Sequence, residues 1–324
     1  MGRGDKVIHV QLSTAAPKWP WARQTPGGRG EWGPFRFAID SPAQAADAWI
    51  VFESLAEEAT VVCPPERVVF ISGEPSSIAS YRPEFIDQFA TVVSSVQSLQ
   101  HPGLVRRQQA HPWFVEKSFD ELLESRPMRK SGLICAIASN KSFTAGHAQR
   151  LQFLDGLKSA FGDSLDVFGR GIRDFDSKWD LLARYRYAVV LENIQEPDFL
   201  TEKLPDAWLA FCYPFYWGCS NVHRYFPAGA HDLLDLEDPD RAVALIRSVL
   251  ANPGHYEAVL PAIEARRREY LHTHQFFPNA AAILQSLMSV PASPPRPVTL
   301  RPNAAFPPPR PGLLDRVAAK VRKL

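Results

Sequence analysis

Between Tyr185 and Leu204 the chain reads Tyr-Arg-Tyr-Ala-Val-Val-Leu-Glu-Asn-Ile-Gln-Glu-Pro-Asp-Phe-Leu-Thr-Glu-Lys-Leu. The apolar run Tyr187–Leu191 predicts a buried strand that ends at Glu192-Asn193, and a helix opens at Thr201-Glu202-Lys203. Open α/β sheets bind ligands at the carboxyl ends of their strands. A helix start at that edge offers unpaired N–H groups and a partial positive charge to a phosphate. Lys203 adds a full positive charge, and Glu202 can accept hydrogen bonds from ribose hydroxyls. The same two residues also suit an ordinary solvated first turn, where charged side chains are common. Spacing alone leaves both readings open.

The elements that must position these residues alternate. Lys6–Leu12, Phe35–Ile39, Ala48–Phe52, Val68–Ser72 and Phe89–Ser94 are short β-favouring runs bounded by Gly, Pro or charge. A polar, basic stretch at Ser125–Ser131 separates them from a second series. There, strands are expected at Leu133–Ser139, Asp166–Phe168 and Tyr187–Leu191. Helices are expected at Ala148–Phe161, Lys178–Tyr185, from a Thr201 cap through Phe211, at Asp240–Leu250 and at Tyr256–His272. Strands alternating with helices of this length give parallel sheets covered on both faces. Two such units in tandem leave a cleft between them.

Composition bounds the possibilities. The 324 residues suffice for two α/β domains, and 45% hydrophobic with 22% charged residues is ordinary for a globular protein. A net charge of +1 argues against a protein-wide nucleic-acid surface, and no apolar run approaches the ~20 residues of a membrane span. The N-terminal residues lack a signal-peptide core, which makes the cytoplasm the expected compartment. Cys63, Cys135, Cys212 and Cys219 are scattered, so buried thiols are expected rather than a zinc site or disulfide scaffold. Asp174-Phe175-Asp176 has the form of a metal-binding Asp-x-Asp but is read as capping for the helix near Lys178. Gly169-Arg170-Gly171 is read as a sharp backbone turn near the ligand, and Trp208 and Phe211 as core.

One resemblance ties these residues together. Glu192-Asn193, then Asp198-Phe199-Leu200-Thr201-Glu202-Lys203, then Tyr213-Pro214-Phe215-Tyr216-Trp217-Gly218 resemble the signature of the family 10 glycosyltransferases, the α-1,3/4-fucosyltransferases. Ser139-Asn140, Arg150 and Asp166-Val167-Phe168-Gly169 extend it upstream; Phe70-Ile71-Ser72-Gly73-Glu74 and Pro112-Trp113 carry a looser N-terminal match. The resemblance implies a GT-B fold, two Rossmann-like domains facing an interdomain cleft. It assigns 1–128 to the acceptor side and 129–289 to a donor domain for GDP-fucose. Arg150 and Lys203 then hold the diphosphate, Glu202 the ribose, Asn193 sits beside the donor, and Glu74 is the base. Two cations and a helix start can stabilise a leaving diphosphate, so no metal or other cofactor is implied. Two positions depart from the family pattern: Phe199 replaces its usual tyrosine, and Ile194 its serine or threonine.

The implied reaction is inverting transfer of fucose to a glycan hydroxyl, on lipopolysaccharide or another surface glycan, by a member of bacterial type. Alternatives are a different nucleotide sugar on the same fold, or a non-catalytic glycan-binding protein. Nine prolines between Val290 and Pro311 predict an extended, disordered spacer over 290–312. Beyond it, Leu313–Leu324 forms a basic amphipathic tail, either an anchor to anionic membrane or a solvated end.

Overall fold

The computed structural model describes residues 7–41, 43–75, 77–78, 80–138 and 145–307. Ser139-Asn140 and the tail Leu313–Leu324, both singled out above, lie outside these residues.

The first half supplies strands β1 (Ile8–Thr14), β2 (Glu31–Trp32), β3 (Phe35–Ile39), β4 (Ala48–Phe52), β5 (Ala59–Cys63), β6 (Val68–Ile71), β7 (Thr91–Ser94) and β8 (Leu104–Arg106), with short helices α1 (Pro83–Ile86) and α2 (Phe119–Glu124). Seven of these strands form one sheet, ordered β2-β3-β1-β4-β6-β7-β8. Every pairing in it is parallel except β2 with β3. Strands β4 and β6, apolar throughout, are buried along their whole length, as strands covered on both faces must be.

The second half supplies β9 (Gly132–Ile137), β10 (Leu165–Phe168), β11 (Tyr185–Leu191), β12 (Tyr213–Trp217) and β13 (Asp232–Leu233). They form an all-parallel sheet ordered β10-β9-β11-β12-β13. Its helices are α3 (Ala145–Phe161), α4 (Lys178–Leu182), α5 (Lys203–Leu209), α6 (Pro239–Leu250) and α7 (His255–Glu269). One core surrounds this sheet, with Leu154, Leu157, Trp208 and Phe211 in it as their spacing predicts. All four cysteines are buried and free. Two parallel-sheet domains are therefore present.

The last elements depart from expectation. A π-helical turn at Tyr270–His274 leads into α8 (Phe276–Met288), which returns to the first sheet. Phe276, Phe277, Ala280, Ile283 and Leu284 pack there with Val10, Phe35 and Ile50. The segment 129–289, expected as one domain, thus gives its final helix to the other core. The proline-rich stretch is likewise not a free spacer over its described part. β14 (Arg296–Leu300) pairs antiparallel with β5, Val298 opposite Val61. Proline is tolerated because this two-stranded ribbon stands outside the main sheets.

Smaller corrections are local. The helix expected over Lys178–Tyr185 stops at Leu182, because Tyr185 already belongs to β11. Its cap is Ser177, whose side chain accepts from the Asp180 N–H, rather than Asp174 or Asp176. Among the described residues, no helix is long and apolar enough to cross a membrane.

Candidate functional site

Strand β11 ends between its neighbours β9 and β12, and the residues that follow it close the floor of a cavity of about 390 Å³. Arg150, Asn193, Glu202 and Lys203 all line it. Four of the five residues chosen from sequence therefore meet in one place. Glu74 does not line the cavity; it is half-buried, just beyond β6 at the carboxyl edge of the first sheet.

Glu192, the first residue past β11, is fully buried and organises the loop. Its Oε1 accepts from the backbone N–H of Thr201 at 3.0 Å, and the Thr201 hydroxyl lies 2.8 and 2.7 Å from its two oxygens. Thr201 was expected to cap α5. Its hydroxyl bonds mainly to Glu192 and accepts a longer bond, 3.4 Å, from the Lys203 N–H; the helix begins at Lys203, with Glu202 in the cap position and making no side-chain cap bond. Gly218 lies against Glu192, where a Cβ would stand 2.2 Å from its Cγ. Glu192 also grips Lys203: Nζ lies 3.0 Å from Oε2 and 3.0 Å from Thr201 Oγ1. These bonds use two of the three donors of the ammonium, and Glu202 Oε1 stands 3.7 Å from the same nitrogen. Burial lowers the Lys203 pKa, but Glu192 and Glu202 outweigh it and hold the ammonium charged, above the usual lysine range.

Arg150 is built differently. It projects from α3 and is only 4% exposed. Nη1 donates to Asn193 Oδ1 at 2.8 Å, while Nε and Nη2 have no hydrogen-bond partner among the described residues. Burial pulls its pKa below the usual value, with Glu192 partly opposing. A buried guanidinium with two unused donors costs several kcal/mol unless a partner arrives. An anion between Arg150 and Lys203 supplies that partner, and the planar fork suits the oxygens of a phosphate.

Glu202 faces the same space. Burial pushes its pKa up, but Lys203, Lys178 and His111 together bring it down to about 2, so it is an ionised acceptor at neutral pH. Lys178 Nζ stands 3.9 Å from Glu202 Oε1 and 2.6 Å from Asp206 Oδ2. Asp206 is fully buried; burial raises its pKa to about 6 against the pull of Lys178. Arg170 and His147 also line the cavity, and the wall between is apolar, with Ile137, Phe175, Leu182 and Val189 offering a face for a flat ring. Gly169 lines it at φ 135, and a Cβ there would stand 1.8 Å from the Ala138 carbonyl oxygen. The sharp turn expected at Gly169 is present.

Sequence reasoning missed Lys178, Phe175 and His111. In the sequence Lys178 and Phe175 carry only the marks of a helix start and its capping segment, and His111 stands in no motif. Among the described residues no cluster of His, Cys, Asp and Glu could hold a metal ion.

Two parallel-sheet domains with the cavity at a strand's carboxyl end make up the GT-B fold class. Solved structures agree in fold. An α1,3-fucosyltransferase superposes with TM-score 0.55 at 16% identity, over 89% of this chain and 91% of its own. An alpha-glucosyltransferase in complex with UDP and DNA gives 0.50 at 9% identity, over 88% and 100%. Within that class, residues 127–261 match the C-terminal domain of glycosyltransferase family 10 (fucosyltransferase). A fucosyltransferase-like protein of Arabidopsis thaliana is 27% identical over 153 residues, 46% of this chain and 29% of its own length. An alpha-(1,3)-fucosyltransferase of Helicobacter pylori is 24% identical over 174 residues, 51% of this chain and 35% of its own. The match thus spans about a third of these relatives, and they come from a plant and a bacterium alike.

Proposed function

We propose that this protein transfers fucose from GDP-fucose to a glycan hydroxyl, with inversion at the anomeric carbon. The observation that carries the reading is Arg150: a buried guanidinium whose Nε and Nη2 have no partner among the described residues, in the wall of the cavity that Lys203 shares. That arrangement suits a diphosphate, and the ionised Glu202 beside it suits a ribose diol. The apolar wall then takes the base. The family 10 match over 127–261 favours fucose over other sugars.

In this reading the acceptor oxygen attacks C1 of fucose while the bond from C1 to the β-phosphate oxygen breaks. GDP leaves with the electron pair, stabilised by the charges of the Arg150 guanidinium and the Lys203 ammonium. The acceptor proton passes to the carboxylate of Glu74, from the side opposite GDP. General-base assistance of this kind is worth roughly 10²–10⁴-fold. The acceptor is a glycan, of surface or lipid-linked type.

The deciding experiment incubates the purified full chain with GDP-fucose, GDP-mannose and UDP-sugars, and follows nucleotide release and transfer to a glycan array. Selective release of GDP from GDP-fucose with transfer supports the proposal. Preference for another donor reassigns the sugar, and binding without turnover makes the protein a glycan-binding module.

A further inference from the structure

His111 stands where the cavity and the Glu74 turn come together. Its Nε2 lies 2.6 Å from the carbonyl oxygen of Gly73. A carbonyl only accepts, so Nε2 carries the hydrogen and donates it. The other ring nitrogen, Nδ1, faces Glu202 Oε2 at 3.9 Å, and both side chains are only 10% exposed. The ring packs edge-on to Phe52 with centroids 5.8 Å apart, and the Tyr270 hydroxyl donates to its backbone carbonyl at 3.3 Å. Gln109 Nε2 also donates to the Gly73 carbonyl, at 2.9 Å. Of these two anchors, His111 is the one that also faces Glu202. On the far side of the turn stands Glu53, whose N–H donates to Ile71 and whose Oε2 accepts from the Tyr81 hydroxyl at 2.8 Å. Glu53 lies within electrostatic range of both His111 and Glu74.

We propose that His111 is a positioning residue that fixes the Gly73-Glu74 turn relative to Glu202, so that seating a ribose on Glu202 also sets the place of Glu74. The inference rests on the transferase reading above. The Gly73 carbonyl belongs to the peptide that joins Gly73 to Glu74, so movement of that carbonyl carries Glu74 with it. A displacement of about 1 Å at a reacting group is enough to lose on the order of 10²-fold in rate. The imidazole spans the gap between an acceptor-side turn and a donor-side carboxylate with one rigid ring.

The test uses the full chain and two variants. His111→Ala removes both contacts, whereas His111→Gln keeps an amide N–H for the Gly73 carbonyl. GDP affinity is measured by calorimetry, turnover by GDP release from GDP-fucose, and folding by a thermal melt. Both variants are expected to bind GDP within about threefold of wild type, while His111→Ala loses on the order of 10²-fold in kcat. His111→Gln recovers part of that loss. In a Glu74→Gln background, His111→Ala adds less than about threefold, because it acts through a group already removed. If the two losses multiply in full, or GDP affinity falls as far as the rate, the coupling is overturned. Should His111→Ala not fold, His111→Gln completes the same cycle. A wild-type chain that neither binds GDP nor turns over GDP-fucose removes the transferase reading and this inference together; active wild type with multiplicative variants removes the inference alone.

Discussion

At the scale of residues, Arg150 and Glu202 make opposite electrostatic demands, and each yields a prediction. Arg150 is buried with two donor nitrogens that have no partner among the described residues, a desolvation cost that a bound anion offsets. Arg150→Ala is therefore expected to leave the melting temperature of the free protein unchanged or higher, yet to weaken GDP. Two charge-assisted bonds at ~1.5–3 kcal/mol each predict a loss of at least about 150-fold in affinity. Arg150→Lys should fall between, since an ammonium lacks the fork. Calorimetry and thermal melts on the same samples check this; a lower melting temperature with unchanged GDP affinity contradicts it. Glu202 behaves as an acid with its folded pKa held down at about 2, below its unfolded value. Its contribution to stability is present above pH ~4.5 and fades as pH falls toward ~2. The stability gap between wild type and Glu202→Gln, read from urea unfolding at pH 3 to 6, should narrow on acidification. A gap independent of pH would show that Glu202 is not ionised through its cationic neighbours.

At the scale of elements, the returning C-terminal strap is the least expected feature and lies close to Glu53. After β14, the side-chain amide of Asn303 accepts from the Arg82 N–H at 2.8 Å and donates to the Ser80 carbonyl at 3.0 Å. Its own N–H donates to Ser54 Oγ at 3.1 Å. These bonds flank Tyr81, which holds Glu53 beside the Gly73-Glu74 turn. Asn303→Ala removes the partner of the half-buried Arg82 N–H and of the exposed Ser80 carbonyl, a cost of about 0.5–1.5 kcal/mol per bond. Amide exchange in residues 80–87 should then speed up and transfer should slow, with GDP affinity unchanged; unaltered exchange there argues against the staple. None of this was legible locally. Proline-rich composition favours an extended chain whether or not a partner strand waits, and β5 lies more than two hundred residues upstream. Part of the cavity wall is local for the converse reason. Asn193, Glu202 and Lys203 fall within one strand-loop-helix unit, so their nearness follows from sequence spacing, while their roles come from the family resemblance. Arg150 was reached only through the family resemblance, and His111 and Lys178 only through tertiary structure, since each meets Glu202 from a distant segment.

At the scale of the whole molecule, the return of α8 decides what can fold alone. The expected acceptor-side segment, 1–128, ends long before the helix that covers its sheet. Phe276, Phe277, Ile283 and Leu284 are all buried against that sheet's core. Each such side chain contributes ~1.5–3 kcal/mol when fully buried, so the four together supply roughly 6–12 kcal/mol. That matches the ~5–15 kcal/mol net stability of a typical domain. A fragment comprising residues 1–128 is therefore expected to lack a cooperative melt and to expose apolar surface. The full chain should unfold with its first sheet intact until α8 is released. Circular dichroism melts and dye binding on the fragment, alone and after adding a peptide spanning 270–290, measure this directly. Recovery of a cooperative transition on adding the peptide is the expected result. A sharp melt of the fragment by itself would mean that the first sheet closes its own core, and that α8 ties the two halves together without being needed by either.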